Sequence, residues 1–455
     1  MDGDTIVALS TPPGESGIAV VRISGPEAVA ILDGLVSGAG VWTPNTVHKV
    51  TMRDRGGEPV DEVLATVRRA PNSYTGEDLV EISCHGSMQV VGDLIEEIIG
   101  RGGRTAGKGE FTKRAFLNGK LDLAQAEAVA DLISAETKLQ RRVALEHLGG
   151  GLSAKVREIE EALLGQLVLV EVSIDFTEEE ITTYDPAEVG RIAGDLRRRI
   201  GGLLESEVAG GKLRRGIRVT ILGPRNAGKS SLYNALLGEE RAIVSSIPGT
   251  TRDLLRERIH IGGFTYYLED TAGIGETGCE IEEKGMSISR KAAEETDLIV
   301  FVIDGSIDWA GTIGDETAIC GRGKTLFVLN KRDLGLHISA ERTAGILGVE
   351  RVVAISAANA EGLDELRQWI YEGTVMGETG EIARERIAVN ARQGAALREA
   401  DEALVRLLDA LGQGAPAEIL SLEIRAAAEA CGKVTGRSVT DDLLDTIFSR
   451  FCIGK

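Results

Sequence analysis

A chain of 455 residues with 43% apolar residues is too long for one core and suits two or three domains. Its formal net charge of −20 excludes nucleic-acid binding through a general positive field, so any RNA contact needs local basic patches or a partner that brings cations. The five scattered cysteines form no CxxC pair or dense framework, no run of about 18 apolar residues could span a membrane, and the opening MDGDTIVALSTPP has neither a basic start nor a long apolar run, which points to a reduced, cytoplasmic compartment.

In chain order, residues 1–119 read as an α+β domain. Gly17 to Ser24 and Asp78 to Ser83 have strand composition, and Ala28 to Leu35 and Gln89 to Ile99 have helical spacing. Residues 120–214 turn rich in Ala, Leu, Glu and Arg at helical spacing, which predicts an all-α region. Over 215–373 compact apolar runs (GIRVTILG, FTYYLEDTAG, DLIVFVID, KTLFVLNK, RVVAIS) alternate with helical segments, which predicts a mostly parallel sheet with sites at its strand C-termini. The helical texture returns over 374–455, so the expected architecture is an α/β domain inserted into a discontinuous helical domain. Two basic patches stand out: Lys108, Lys113, Arg114 and Lys120, and then Arg197 to Arg199 with Lys212, Arg214 and Arg215. Each is either an RNA contact or a solvated helix face.

Gly223-Pro-Arg-Asn-Ala-Gly-Lys-Ser230 fits GxxxxGK[ST] and sits between the run Ile217 to Leu222 and the helix-like SSLYNALLG. Glycines let the backbone wrap a phosphate, and loop N–H groups with the helix N-terminus neutralise it. This assigns Asn226, Ala227, Gly228, Lys229, Ser230 and Ser231 to the nucleotide, with Lys229 at the β- and γ-phosphates and the Ser230 hydroxyl on Mg²⁺. Asp270, Thr271, Ala272 and Gly273 close a second apolar run, where the acid can hold Mg²⁺ through water and the glycine N–H can sense the γ-phosphate. Thr250 and Thr251 lie between the two motifs, where a Thr hydroxyl, assigned to Thr251, can bind Mg²⁺ only with the γ-phosphate present.

Asn330, Lys331, Arg332 and Asp333 follow the apolar LFVL. The Asp333 carboxylate can accept both N1–H and the N2 amino group of guanine. Adenine offers neither, and stranding a buried carboxylate costs roughly 1–3 kcal/mol or more. Ser356, Ala357 and Ala358, after RVVAI, are placed to give a backbone N–H to the guanine carbonyl oxygen. The full set, in this order, resembles the Ras-like GTPase superfamily. Ile274 stands where Ras-like enzymes often carry a water-orienting Gln, so the catalytic polar group must come from elsewhere. Glu276, Glu280, Glu282 and Glu283 are the candidates, against the reading of a solvated acidic loop.

Long strings on both sides of these motifs are similar to the MnmE (TrmE) family of tRNA modification GTPases: DTIVALSTPPGESGIAVVRISG, PNSYTGEDLVEISCHG, GEFTKRAFLNGKLDLAQAEAVADLI and the terminal FSRFCIGK. The resemblance covers essentially the whole chain. It implies an N-terminal folate-binding and dimerising domain, a two-part helical domain and a G domain. It implies work with the FAD-dependent partner MnmG, in a homodimer and a heterotetramer with MnmG. The joint product would be tRNA carrying an aminomethyl or carboxymethylaminomethyl group at C5 of the wobble uridine. The one-carbon unit would come from 5-formyl- or 5,10-methylene-tetrahydrofolate.

By the same resemblance, Asn226 and backbone carbonyls at Ser245, Ile247 and Thr250 would hold K⁺. Ser245, Ser246, Ile247, Pro248 and Gly249 would line the nucleotide, and Glu282 would be the catalytic glutamate. Arg22, Glu81, Lys120 and Lys455 would contact the folate. Cys452 would be a functional thiol beside the folate or a small buried thiol. Arg225 departs from the family, which usually carries Pro directly before the loop Asn. The G motifs alone fit equally a switch GTPase of ribosome or other RNP assembly that does no modification chemistry. The Arg22, Glu81, Lys120 and Cys452 set does not fit that alternative.

Overall fold

The computed structural model describes residues 3–36, 41–175, 184–238, 257–270, 296–309, 324–375 and 386–455. The elements run β1 (Thr5–Leu9), β2 (Ser16–Ser24), α1 (Ala28–Leu35), β3 (Val47–Arg53), β4 (Pro59–Arg68), β5 (Leu79–Gly86), α2 (Met88–Ile99), β6 (Gly103–Thr105) and α3 (Glu110–Leu117). Next come α4 (Leu123–Ile133), α5 (Lys138–Leu148), α6 (Gly151–Asp175) and α7 (Pro186–Arg215). Then follow β7 (Ile217–Leu222), α8 (Lys229–Gly238), β8 (Glu257–Ile261), β9 (Phe264–Asp270), β10 (Leu298–Asp304), β11 (Thr325–Asn330), α9 (Ala340–Leu347), β12 (Val353–Ala354) and α10 (Leu363–Val375). The chain ends in α11 (Ala391–Gly412), α12 (Ala417–Thr435) and α13 (Asp441–Phe448). Contacts gather these into two compact units: Met1–Ile133 with His147–Arg197 and Ala396–Lys455, and Ser134–Glu146 with Arg198–Ala395.

In the first unit six strands form one sheet in the order β3-β4-β5-β2-β1-β6. All pairs are antiparallel except β1 with β6. Alternation decides its faces. Val21 and Ile23 of β2 and Val80, Ile82 and Cys84 of β5 pack with Ile31, Leu32 and Leu35 of α1 and Leu94 and Ile98 of α2. Each such Leu or Ile is worth about 1.5–3 kcal/mol of burial. Arg22 and Glu81, between those inward residues, are registered partners on β2 and β5. The helical part of this unit packs α6 against α12, whose Ala427, Ala428, Ala430 and Cys431 are buried. The small side chains permit close approach of the two backbones. Burial raises the Cys431 thiol to about 12, so it behaves as a small apolar group. Leu123, Leu444, Phe448 and Phe451 close a separate core around the C-terminal residues.

In the second unit the sheet order is β12-β11-β10-β7-β9-β8, parallel except for β8 against β9. Each face has its own core. Val300 and Val302 of β10 face α8 and α10, while Ile299, Phe301 and Ile303 pack with Phe327 and Ala344 on the other side. The five apolar runs anticipated in the α/β segment are β7, β9, β10, β11 and β12. The α/β domain interrupts a helical domain that follows an α+β N-terminal domain, as expected. Sequence reading missed the edge strand β8 and the hairpin β3–β4. Their alternation is nonetheless present: Val63, Ala65 and Val67 of β4 and Ile259 and Ile261 of β8 are buried at every second position, with the other face open to water. No helix among the described residues is long and apolar enough to cross a membrane.

Candidate functional site

The C-terminal ends of the parallel strands of the second unit gather the nucleotide motifs. β7 runs straight into the loop from Gly223 to Gly228, and α8 begins at Lys229. Asn226 stands at φ +63, a left-handed conformation that Asn tolerates better than most residues, and it is exposed. Ala227 is buried and locks the loop into the core. The Lys229 ammonium donates to the carbonyls of Gly223 at 2.9 Å and Pro224 at 2.8 Å. It thus lies inside the curve of the loop, where phosphate oxygens can compete for it. Ser230 and Ser231 follow in the first turn of the helix, in the region of its positive dipole end.

Asn330 joins this loop to the base side of the site. Its side chain is 2% exposed, donates Nδ2–H to the Ala227 carbonyl at 2.9 Å and accepts the Ala357 N–H at Oδ1, 3.0 Å away. One buried amide therefore sets the spacing between the phosphate loop and the turn at Ser356, Ala357 and Ala358. Gly228 is required by the same contact. It sits at φ +93, and a Cβ there would collide with the Asn330 amide nitrogen. Gly228→Ala is expected to strain the backbone and break the bridge, lowering guanine-nucleotide affinity at least about tenfold. Calorimetric titration with GDP checks this, and an unchanged affinity would mean the bridge does not position the loop.

Asp333 lies in a 3-10 turn, Arg332–Leu334, that begins after Lys331 at φ +65. The Ser356 hydroxyl donates to Asp333 Oδ1 at 2.6 Å, which fixes the plane of the carboxylate. Lys331 pairs with Asp304 at 2.6 Å. Burial opposes ionisation of Asp304, but the Lys331 ammonium and the Ser306 donors outweigh it and hold the carboxyl below its ordinary range. Asp304, at the end of β10, gave no sequence signal beyond closing an apolar run, and its task is to anchor Lys331. The structure thus brings together 226–231, 330–333 and 356–358. The residues Ser245, Ser246, Ile247, Pro248, Gly249, Thr250, Thr251, Thr271, Ala272, Gly273 and Glu282, and the Asp270 side chain, lie outside the described residues.

In the first unit, Arg22 donates through Nε and Nη2 to Glu81 Oε1 at 3.1 and 2.7 Å, and Arg68 approaches the other oxygen at 3.8 Å. The Arg22 guanidinium also lies over the rings of Tyr74 and Phe111, 5.6 and 5.7 Å from their centroids. The C-terminal residues reach the same place. Gly454 O accepts from Arg22 at 3.5 Å and from Ser10 Oγ at 3.1 Å, and Lys108 bridges to Ile453. Lys455 follows directly. The Lys120 ammonium is engaged elsewhere, on the Pro71 carbonyl at 3.1 Å. Cys452 is exposed, which removes the reading of a small buried thiol.

Several cations of the two basic patches have partners within the fold. Lys113 pairs with Asp445, and Arg114 is buried among Asp4, Glu77 and Glu110. Arg197 pairs with Asp401, Arg215 with Asp297, and Lys212 donates to the Thr374 carbonyl. These cations are therefore engaged within the fold. Among the described residues no group of three or more His, Cys, Asp or Glu side chains could hold a metal ion.

A phosphate cradle at a strand–helix junction, tied by a buried Asn to a turn that faces an oriented Asp, defines a P-loop GTPase. The family model for the GTP-binding protein TrmE N-terminus matches residues 5–120, and that for the MnmE helical domain matches residues 123–452. This chain therefore belongs to the MnmE (TrmE) family. It is 42% identical to the tRNA modification GTPase MnmE of Moorella thermoacetica, with 99% of each chain covered. It is 40% identical to that of Heliobacterium modesticaldum over 100% of each. Among solved structures, the FeoB G-domain from Methanococcus jannaschii is 26% identical over 35% of this chain and 97% of its own, with a TM-score of 0.26.

Proposed function

We propose that this protein binds and hydrolyses GTP in the service of tRNA modification, the role named for its relatives. The observation that carries the reading is the Asn330 bridge, which sets the phosphate loop at a fixed distance from an Asp333 carboxylate oriented by Ser356. Mg²⁺ would be held by Ser230 and Thr251, and K⁺ by Asn226 with Ser245, Ile247 and Thr250. The exposed place of Asn226 on the loop suits such a ligand. Potassium there would supply positive charge beside the phosphates where other GTPases use an arginine. Glu282 would orient water in place of the Gln that Ile274 displaces.

The finer reading is that the flavoprotein MnmG is the partner and that this chain, as a homodimer, presents a tetrahydrofolate derivative in its N-terminal domain. The Arg22–Glu81 pair offers a guanidinium for glutamyl carboxylates and a carboxylate for pterin N–H groups, beside two aromatic rings. The net charge of −20 and the pairing of Lys113, Arg114, Arg197 and Arg215 within the fold support a division of labour in which MnmG supplies most of the grip on tRNA.

The test is steady-state GTP hydrolysis in K⁺ and in Na⁺. Turnover is expected to be at least about tenfold faster in K⁺. In Glu282→Ala it is expected to fall roughly 10²–10³-fold with nucleotide binding kept. Equal rates in the two salts would remove the role of Asn226. A deletion strain whose tRNA keeps its C5-modified wobble uridine would remove the role in modification. Titration of the pure protein with 5-formyltetrahydrofolate separates this reading from an RNP-assembly switch, which has no use for the ligand.

A further inference from the structure

The segment just before α5 belongs to the nucleotide-binding unit, although its composition is that of the helical domain. It grips the turn of the β8–β9 hairpin. Thr137 Oγ1 donates to the Gly263 carbonyl at 2.6 Å. Glu136 pairs with Arg258 of β8 and accepts from the Thr265 hydroxyl of β9 at 3.2 Å. Leu139 presses on the turn so closely that a Cβ at Gly263 would lie 2.9 Å from its own. Gln140 organises the segment. Its Oε1 accepts the N–H groups of Glu136 and Thr137 at 2.7 and 2.9 Å, and its Nε2 donates to the Leu213 carbonyl, just before β7, at 2.6 Å. Val143, one turn on, is buried in the core under β7 and β9.

These contacts meet at the two strands that frame the phosphate loop. β7 leads into it, and β9 pairs with β7 up to Ile221 against Asp270. At its other end α5 runs unbroken to Leu148, which belongs to the first unit, where the Gln125 amide donates to the Leu148 carbonyl at 3.0 Å. α5 is continuous across Glu146 and His147, with hydrogen bonds to Thr137, Gln140 and Leu148 near its two ends.

We infer that Glu136, Thr137 and Gln140 form a latch through which the β8–β9 hairpin transmits the nucleotide state along α5 to the helical domain. The inference rests on the GTP reading above. The residues act by position and need not touch the nucleotide.

The experiment uses the full-length protein saturated with GDP or with a non-hydrolysable GTP analogue. It measures amide hydrogen exchange over α5 and α4, with affinities titrated in parallel. In the unaltered protein, exchange at the C-terminal end of α5 is expected to differ about tenfold between the two nucleotides. Thr137→Val and Glu136→Gln are expected to abolish the difference while leaving both affinities within about twofold. The charge swap Glu136→Arg with Arg258→Glu is expected to restore it, which a loss of folding in the single variants would not permit. A difference that survives in both single variants, or no difference in the unaltered protein with nucleotide bound, overturns the latch. Failure to bind either nucleotide would show in the titrations and would overturn the GTP reading along with it.

Discussion

Asp333→Asn is expected to weaken GTP binding by roughly 10²–10⁴-fold and to admit xanthosine triphosphate in its place. The carboxylate can accept two donors on one edge of guanine, the ring N1–H and the N2 amino group. An amide at the same position keeps one acceptor but turns a donor toward the amino group, so two donors meet. Xanthine carries a carbonyl oxygen at C2, which accepts from that donor. The geometry supports an edge-on reading because Asp333 is held at Oδ1 by the Ser356 hydroxyl at 2.6 Å. Ser356 is itself fully buried, bridges by its backbone to Glu361 in both directions at 3.0 Å, and accepts the Asn359 N–H at 3.2 Å. The carboxylate plane therefore cannot swing to accommodate a wrong base. Each stranded polar group costs about 1–3 kcal/mol, and two of them at about 1.4–2.8 kcal/mol each give the stated range. Calorimetry with GTP, XTP and ATP on both proteins decides the matter. An Asp333→Asn variant that binds GTP as well as before would show that the base is read elsewhere.

Much of this site was legible before any coordinates, because its chemistry is written in short contiguous motifs. Lys229, Ser230 and Asp333 are named by spacing alone. What spacing could not supply is the tie between motifs a hundred residues apart. The role of Asn330 depends on Ala227 and Ala357, and that of Asp304 on Lys331. These are contacts between ends of neighbouring parallel strands, which only the strand order reveals. The long helices were readable as helices, but not the core each would join. The Ala- and Arg-rich texture before α5 is the same on both sides of Ser134, yet one side packs on the sheet carrying the nucleotide motifs. The basic patches were ambiguous in sequence for a related reason. A run of cations in sequence says nothing about the carboxylates that folding brings from Asp4, Asp401 or Asp445. The Arg22–Glu81 pair was reached through family resemblance. Its physical signature, opposite charges at facing positions of adjacent strands, requires the register to be known.

Arg114→Met is expected to destabilise the N-terminal unit by about 3–5 kcal/mol at neutral pH. The Arg114 side chain is only 7% exposed, and it reaches Asp4 at 2.6 Å, Glu77 at 3.1 Å and Glu110 at 3.1 Å. It also donates to the Asp4 main-chain carbonyl at 2.9 Å. Methionine fills much of the same volume, so the loss is electrostatic: Asp4 and Glu110 would be left to Arg104, and Glu77 would lose the guanidinium it faces. Burial pushes the Asp4 and Glu110 carboxyls toward protonation, but hydrogen bonds from the two guanidinium groups outweigh it and hold both below their ordinary 3.8 and 4.5. A depressed carboxylate stabilises the fold fully above its unfolded value and loses that contribution as pH falls through its folded one. The unaltered unit should therefore weaken as pH drops below about 4. The variant, whose carboxyls gain less from ionising, should show a flatter acid limb. The gap between the two proteins then narrows toward pH 3. Urea unfolding at pH 7 and near pH 3.5, followed by signals from the N-terminal sheet, measures both effects. GTP affinity is the control, since the described nucleotide motifs lie in the other unit and should be unmoved. A loss at pH 7 below about 1 kcal/mol would mean that the buried cation contributes no more than an exposed ion pair.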